Sequence, residues 1–128
     1  MSYTINRVIA GADFDAVDQR ARKALADKGF GVLTEIDVAV TMKKKLGVDM
    51  MPYLILGACN PDMAYQAISM EPRVGAMLPC NVILRQVGDD VEVSAVDPVA
   101  SMQSIDNDDL KRVAGEVRDL LAEAIAAI

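Results

Sequence analysis

Pro52-Tyr53-Leu54-Ile55-Leu56-Gly57-Ala58-Cys59-Asn60-Pro61-Asp62 passes from strand to helix at one tight junction. The run from Pro52 to Cys59 is apolar without alternation, the pattern of a strand buried on both faces. Asn60-Pro61 then reads as a helix N-cap and first helical residue. The asparagine side chain accepts from an otherwise unpaired N–H, and proline's missing N–H is harmless there. Asp62 places a negative charge where the helix dipole favours one. The helix continues through Tyr65, Ala67 and Ile68 and stops before Pro72.

Downstream, Arg73 to Pro79 is expected to be a connection. Asn81 to Val87 and Val91 to Val96 form two strands of a hairpin, joined by Gly88-Asp89-Asp90. Asp97-Pro98 opens a short connecting segment. Asn107 or Asp106 then caps a long helix. Its stripe of Leu110, Val113, Ala114, Val117, Leu120, Leu121, Ala124, Ile125 and Ile128 holds helical phase.

Upstream, Val38, Met42 and Leu46 are spaced by four and Gly47 ends a short helix. Phe30 to Val38 is a strand with Phe30, Val32, Ile36 and Val38 on one face, together with Thr34. Leu33, Glu35 and Asp37 take the other. Asp13 caps a helix with the apolar stripe Phe14, Val17, Ala21, Ala24 and Leu25, ended by Gly29 in a left-handed cap. Its Arg22, Lys23 and Lys28 lie toward the end, where cations complement the dipole. Tyr3 to Ala10 is the first strand. The order is β-α-β-(α)-β-α-β-β-α, an α+β two-layer sandwich with a mainly antiparallel sheet and helices packed on one face. No repeat or linker interrupts residues 1–128, so a single domain is expected. Strand order does not follow from the pattern.

The chain has 128 residues, 52% hydrophobic and 25% charged, enough to bury a continuous core. A net charge of −6 opposes binding to a nucleic-acid backbone, and Lys43-Lys44-Lys45 is too short a basic run to reverse that. No apolar run reaches membrane-spanning length, and Met1 to Arg7 does not resemble a signal peptide, so no membrane partner and a cytoplasmic location are expected. In that reducing compartment the two cysteines would stay free. Histidine is absent, which removes Ser-His and Cys-His nucleophilic pairs and every His-containing metal site.

Cys59 precedes the N-cap Asn60, where the positive end of the helix dipole favours a thiolate. Cys80 follows Pro79 at the start of another strand. If the strands beginning near Tyr53 and Asn81 are neighbours, the two sulfurs approach at one end of the sheet. Such a pair suits a soft metal, with methionine sulfur as a supplementary donor, and there are eight methionines, among them Met50, Met51, Met63, Met70 and Met77. The same residues also serve as small or gap-filling core groups. Glu35 and Asp37 share a strand face by the period of two, and Glu71 stands in a Glu-Pro phrase; paired carboxylates can hold a hard cation or transfer protons. A polar outer strand face is the commoner explanation for them. Asn60-Pro61-Asp62 presents free N–H groups, although Asp62 opposes a strongly anionic ligand.

Three phrases stand together: Tyr53 to Pro61 ending Gly-Ala-Cys-Asn-Pro, Ala64 to Pro72 containing Glu71-Pro72, and Leu78-Pro79-Cys80-Asn81-Val82. With Gly29-Phe30 and Glu35-Ile36-Asp37 they resemble the family called domain of unknown function 302, from about Asp13 to Val96. The segment Lys43 to Met51 departs from that pattern. The resemblance implies a compact α+β domain, a curved antiparallel sheet backed by helices, and a homodimer; it assigns no chemistry. The expected function is a domain that binds a small ligand or soft metal near Cys59 and Cys80, with Asn60, Asn81, Glu35, Asp37 and Glu71 as further candidates. Two other readings compete. One is a thiol-dependent redox or transfer enzyme with Cys59 as nucleophile and Cys80 as resolving partner; the other is a purely structural dimerisation module.

Overall fold

A computed structural model describes residues 2–128. The elements run β1 (Thr4–Ile9), α1 (Phe14–Asp27), β2 (Gly31–Asp37), α2 (Val38–Leu46), β3 (Tyr53–Cys59) and α3 (Pro61–Met70). A 3-10 turn (Pro72–Met77), β4 (Cys80–Val87), β5 (Asp90–Val96), α4 (Pro98–Ser101) and α5 (Asp108–Ala126) complete the chain. The strands form one sheet in the order β1-β5-β4-β3-β2, with every neighbouring pair antiparallel. The fold is thus the α+β sandwich its pattern predicts. Among the described residues no helix is long and apolar enough to cross a membrane.

Local chemistry accounts for the helix boundaries. Asp13, Asp37, Asn60 and Asn107 each accept a hydrogen bond from a backbone N–H of the turn they cap. Gly47 ends α2 with φ 68°, a conformation that penalises any side chain. The basic groups of α1 act differently from expectation. Arg22 and Lys23 pair with Asp18 and Asp27 one turn away, and no basic residue lies in the last turn. Two presumed connections are helical. Pro72–Met77 is a 3-10 turn that Glu71 caps through the Arg73 N–H. Pro98–Ser101 is a short helix whose cap, Asp97, also holds Arg118 at 3.0 Å.

The main core lies between the sheet and the paired helices α1 and α5. Val17, Ala21 and Leu25 of α1 and Leu121, Ala124 and Ile125 of α5 are buried against Leu56, Val82, Leu84, Val93 and Ala95. At roughly 1.5–3 kcal/mol for each large aliphatic side chain removed from water, this layer is the principal stabilising feature. A second cluster of Ala67, Val74, Met102, Leu110 and Ala114 joins α3, the 3-10 turn and α4 to the first half of α5. Arg7 of β1 reaches the end of α5 and donates to the carbonyls of Ile125 at 3.2 Å and Ala126 at 2.9 Å. These lie in the last turn of α5, where carbonyls lack the full set of intrahelical partners; the Ile125 carbonyl also accepts from the Ile128 N–H at 3.4 Å.

Two strands depart from simple periodicity. In β3, Leu54, Leu56 and Ala58 are buried, but Tyr53 and Ile55 are only half-buried. Its unbroken apolar run therefore reflects one helix-covered face and one face that opens into a broad depression lined by Tyr53, Asn81, Ile83, Arg85 and Ser94. In β2, Val32 pairs with Ala58 but Thr34 pairs with Gly57, leaving Leu33 as the extra residue of a bulge. One extra residue reverses the phase of a strand. Val32 therefore packs against the core while Ile36, expected on the same face, is 49% exposed. Beyond the bulge Glu35 and Asp37 stand opposite Leu56 and Leu54, on the helix side of the sheet.

Candidate functional site

The register pairs Ala58 with Cys80, so the two cysteines lie at the same end of adjacent strands. Cys80 is buried with the main core, Cys59 is half-buried, and both are free thiols. The chain leaves Cys59 directly into α3, where Asn60 Oδ1 accepts from the Met63 N–H at 3.3 Å. A cavity of about 30 Å³ opens at this junction, lined by Cys59, Asn60, Met63, Cys80 and Met102 with apolar walls from α3 and α5. Asn60 is its one strongly polar lining side chain among the described residues.

Two glycines permit this arrangement. Gly29 follows α1 at φ 85°, and a Cβ there would lie 3.1 Å from Asn60 Nδ2. Its absence lets the turn between α1 and β2 sit against the cap. At Gly57 a Cβ would lie 2.2 Å from Thr34 Oγ1 and 2.8 Å from Pro79 Cγ. Glycine there allows Pro79 to close on β3, and Pro79 leads directly into Cys80.

Burial pushes the Cys80 thiol up to about 11, and the neighbouring Cys59 charge acts in the same direction. Cys80 is therefore a neutral thiol near pH 7. As a small soft group in an apolar wall it can contact a soft ligand or donate a weak hydrogen bond, but it is a poor nucleophile without a partner that takes its proton.

Of the residues singled out from sequence, Cys59, Asn60 and Cys80 meet at the cavity. Asn81 pairs with Gly57 and lines the depression on the opposite sheet face. Glu35 is ion-paired with Arg22, whose guanidinium is held above its ordinary range by hydrogen bonds to Asp18 and Glu35. Asp37 is engaged as the α2 cap, and both Glu35 and Asp37 line a separate cleft with Arg22. Glu71 caps the 3-10 turn and does not line the cavity. No group of three or more His, Cys, Asp or Glu side chains is assembled among the described residues. Met63 was visible as one of several methionines. Met102 carried no signal, because only the short α4, opened by Asp97-Pro98, returns it to the cavity.

An α+β sandwich with a five-stranded antiparallel sheet is the class of protein these features define. Residues 6–128 match the family described as Domain of unknown function DUF302, and the chain belongs to that family. Its fold is similar to the crystal structure of an uncharacterized conserved DUF302 protein from Bacillus stearothermophilus. The TM-score is 0.87 at 24% identity, covering 96% of this chain and 97% of the other. No functionally curated protein matches the chain.

Proposed function

We propose that the chain is a homodimeric binding domain whose site is the cavity beside Cys59 and Cys80, where it holds a small thiol-seeking species. The observation that supports this reading is that Cys59 and Cys80, at one end of adjacent strands, both line one small apolar cavity. The environment favours binding over thiol catalysis. Burial that holds the Cys80 proton on near pH 7 hinders a resolving thiol, which must attack as thiolate. It does not hinder a soft wall around a bound group. Alkylation of both cysteines, followed by mass in the native protein, tests the reading. A bound thiol-seeking ion or compact ligand should protect Cys59 and Cys80 together. If no member of such a panel slows either reaction, and mild oxidant instead yields a rapid Cys59–Cys80 bond, the redox reading replaces this one.

Support for the dimer comes from the open sheet face. Ile36, Ile55 and Ile83 stand in register across β2, β3 and β4, an apolar row on the side away from α1 and α5. Sedimentation should report a dimer that Ile83→Arg dissociates. A monomeric parent protein at tens of micromolar would remove this part of the proposal.

A further inference from the structure

We infer that the species held beside Cys59 and Cys80 is a single cuprous ion, with the thioether sulfurs of Met63 and Met102 completing its ligands. The inference rests on the cavity reading above and narrows it to one chemistry.

Size is the first argument. Pockets for organic ligands run to several hundred Å³, whereas this cavity has about 30 Å³, room for a water or two or one ion. A monatomic guest fits this space without rebuilding the helix packing. The donor set is the second. Four of the lining side chains carry sulfur, namely Cys59, Met63, Cys80 and Met102. The walls offer no carboxylate or imidazole, and apart from Asn60 no strongly polar side chain. Hard cations need oxygen ligands and are excluded by this lining. Zinc needs about four thiolate, imidazole or carboxylate ligands, and the cavity supplies only two thiols. Thiolate and thioether together select Cu(I).

Charge and access agree with this assignment. Burying an uncompensated charge in an apolar cavity is strongly unfavourable even after relaxation. One thiolate and one Cu(I) sum to a neutral unit, and thioethers add ligation without adding charge. Cys59 is the more accessible of the two sulfurs, half-buried directly ahead of α3, so it meets an incoming ion first. Cys80, buried deeper, meets the ion on its inner side. The binding step is Cys59–SH + Cu⁺ → Cys59–S–Cu + H⁺. The proton leaves to solvent, no electron is transferred, and a second proton is released only where Cys80 also ionises. Cys59, Asn60 and Met63 are each half-exposed at most, and they form the rim through which an ion reaches the inner sulfurs.

An anaerobic titration of the full chain with Cu(I), in competition with a chromophoric cuprous chelator, tests the inference. One equivalent per chain should be retained, with an X-ray absorption spectrum showing sulfur ligands alone. Met63→Leu and Met102→Leu conserve volume and should leave the fold intact. Each should weaken retention at least about tenfold, the lower end of what losing even an orienting group around a metal costs. Cys59→Ala should abolish retention, with circular dichroism confirming the fold. Equimolar Zn(II) should not displace the copper. Failure of the folded parent protein to hold Cu(I) against the chelator overturns the inference. The broader cavity reading would still stand if another species protects both thiols from alkylation. Methionine variants that retain copper like the parent, with an unchanged spectrum, overturn the thioether assignment.

Discussion

Replacing Gly57 with alanine tests the packing that sets Cys80 in place. The added Cβ would meet Thr34 Oγ1 at 2.2 Å and Pro79 Cγ at 2.8 Å, both well inside contact distance. Thr34 is exposed and its hydroxyl can rotate away, but Pro79 is a rigid ring tethered to Cys80. Forcing a methyl group into such a site destabilises by about 1–3 kcal/mol. The alanine also restricts the unfolded chain, which offsets about 0.4–1 kcal/mol. A net loss of about 1–2 kcal/mol is expected, lowering the melting temperature by roughly 4 °C per kcal/mol in a domain of this length. Removing the nearer obstacle provides the internal control. Thr34 Cβ stands at 3.5 Å, an ordinary contact, so Thr34→Ala leaves only the Pro79 conflict. Urea unfolding of both single variants and the double variant should show a favourable coupling of about 0.5–1 kcal/mol. Gly57→Ala as stable as the parent, with unchanged alkylation of Cys80, would refute the argument that this glycine seats the site.

Three further outcomes follow from contacts already described. Asn60→Ala removes the acceptor for the Met63 N–H and should lower stability by about 1 kcal/mol, with Asn60→Asp or Asn60→Ser recovering most of it in denaturant titrations. Because the folded pKa of Cys80 is raised to about 11 from an ordinary 9.0, the folded state binds more protons between those values. Stability should therefore be level below about pH 9 and fall by up to about 3 kcal/mol as pH rises through 11. That slope should be flatter in Cys80→Ala, measured by denaturant midpoints across the range. Arg7→Ala takes a charged donor from the Ile125 and Ala126 carbonyls and should cost about 1–2 kcal/mol. Hydrogen exchange should then quicken at the end of α5 before it does at Leu110, and uniform exchange along the helix would contradict the clasp.

Most of the architecture was legible because local chemistry and global packing agree. Asn60-Pro61 and Asp13 mark helix starts by hydrogen-bond need, and the α5 stripe keeps one phase along its length. What escaped notice is non-local. The bulge at Leu33 leaves no composition signal, yet it turns Glu35 toward Arg22 and Ile36 toward the open face. The uniform apolar run of β3 hid an asymmetry, since one sheet face is covered by α1 and α5 and the other is not. At the site, Cys59 and Asn60 were readable from their place at a strand–helix junction. Their meeting with Cys80 depended on strand adjacency that no local pattern records. Met102 was invisible because its position depends on how α4 turns back over α3 and α5.

The strand order also sets a schedule. β2 through β5 can pair as a meander while each successive strand appears, but β1 has only β5 as a neighbour. During synthesis Thr4–Ile9 must remain unpartnered until Asp90–Val96 exists, and Arg7 must wait longer for the end of α5. Closing such distant pairs is slow, and unpaired strand edges are exposed to aggregation meanwhile. Nascent chains halted shortly before β5 should be the form most in need of a chaperone, although β1 leaves the ribosome ahead of the other four strands of this sheet.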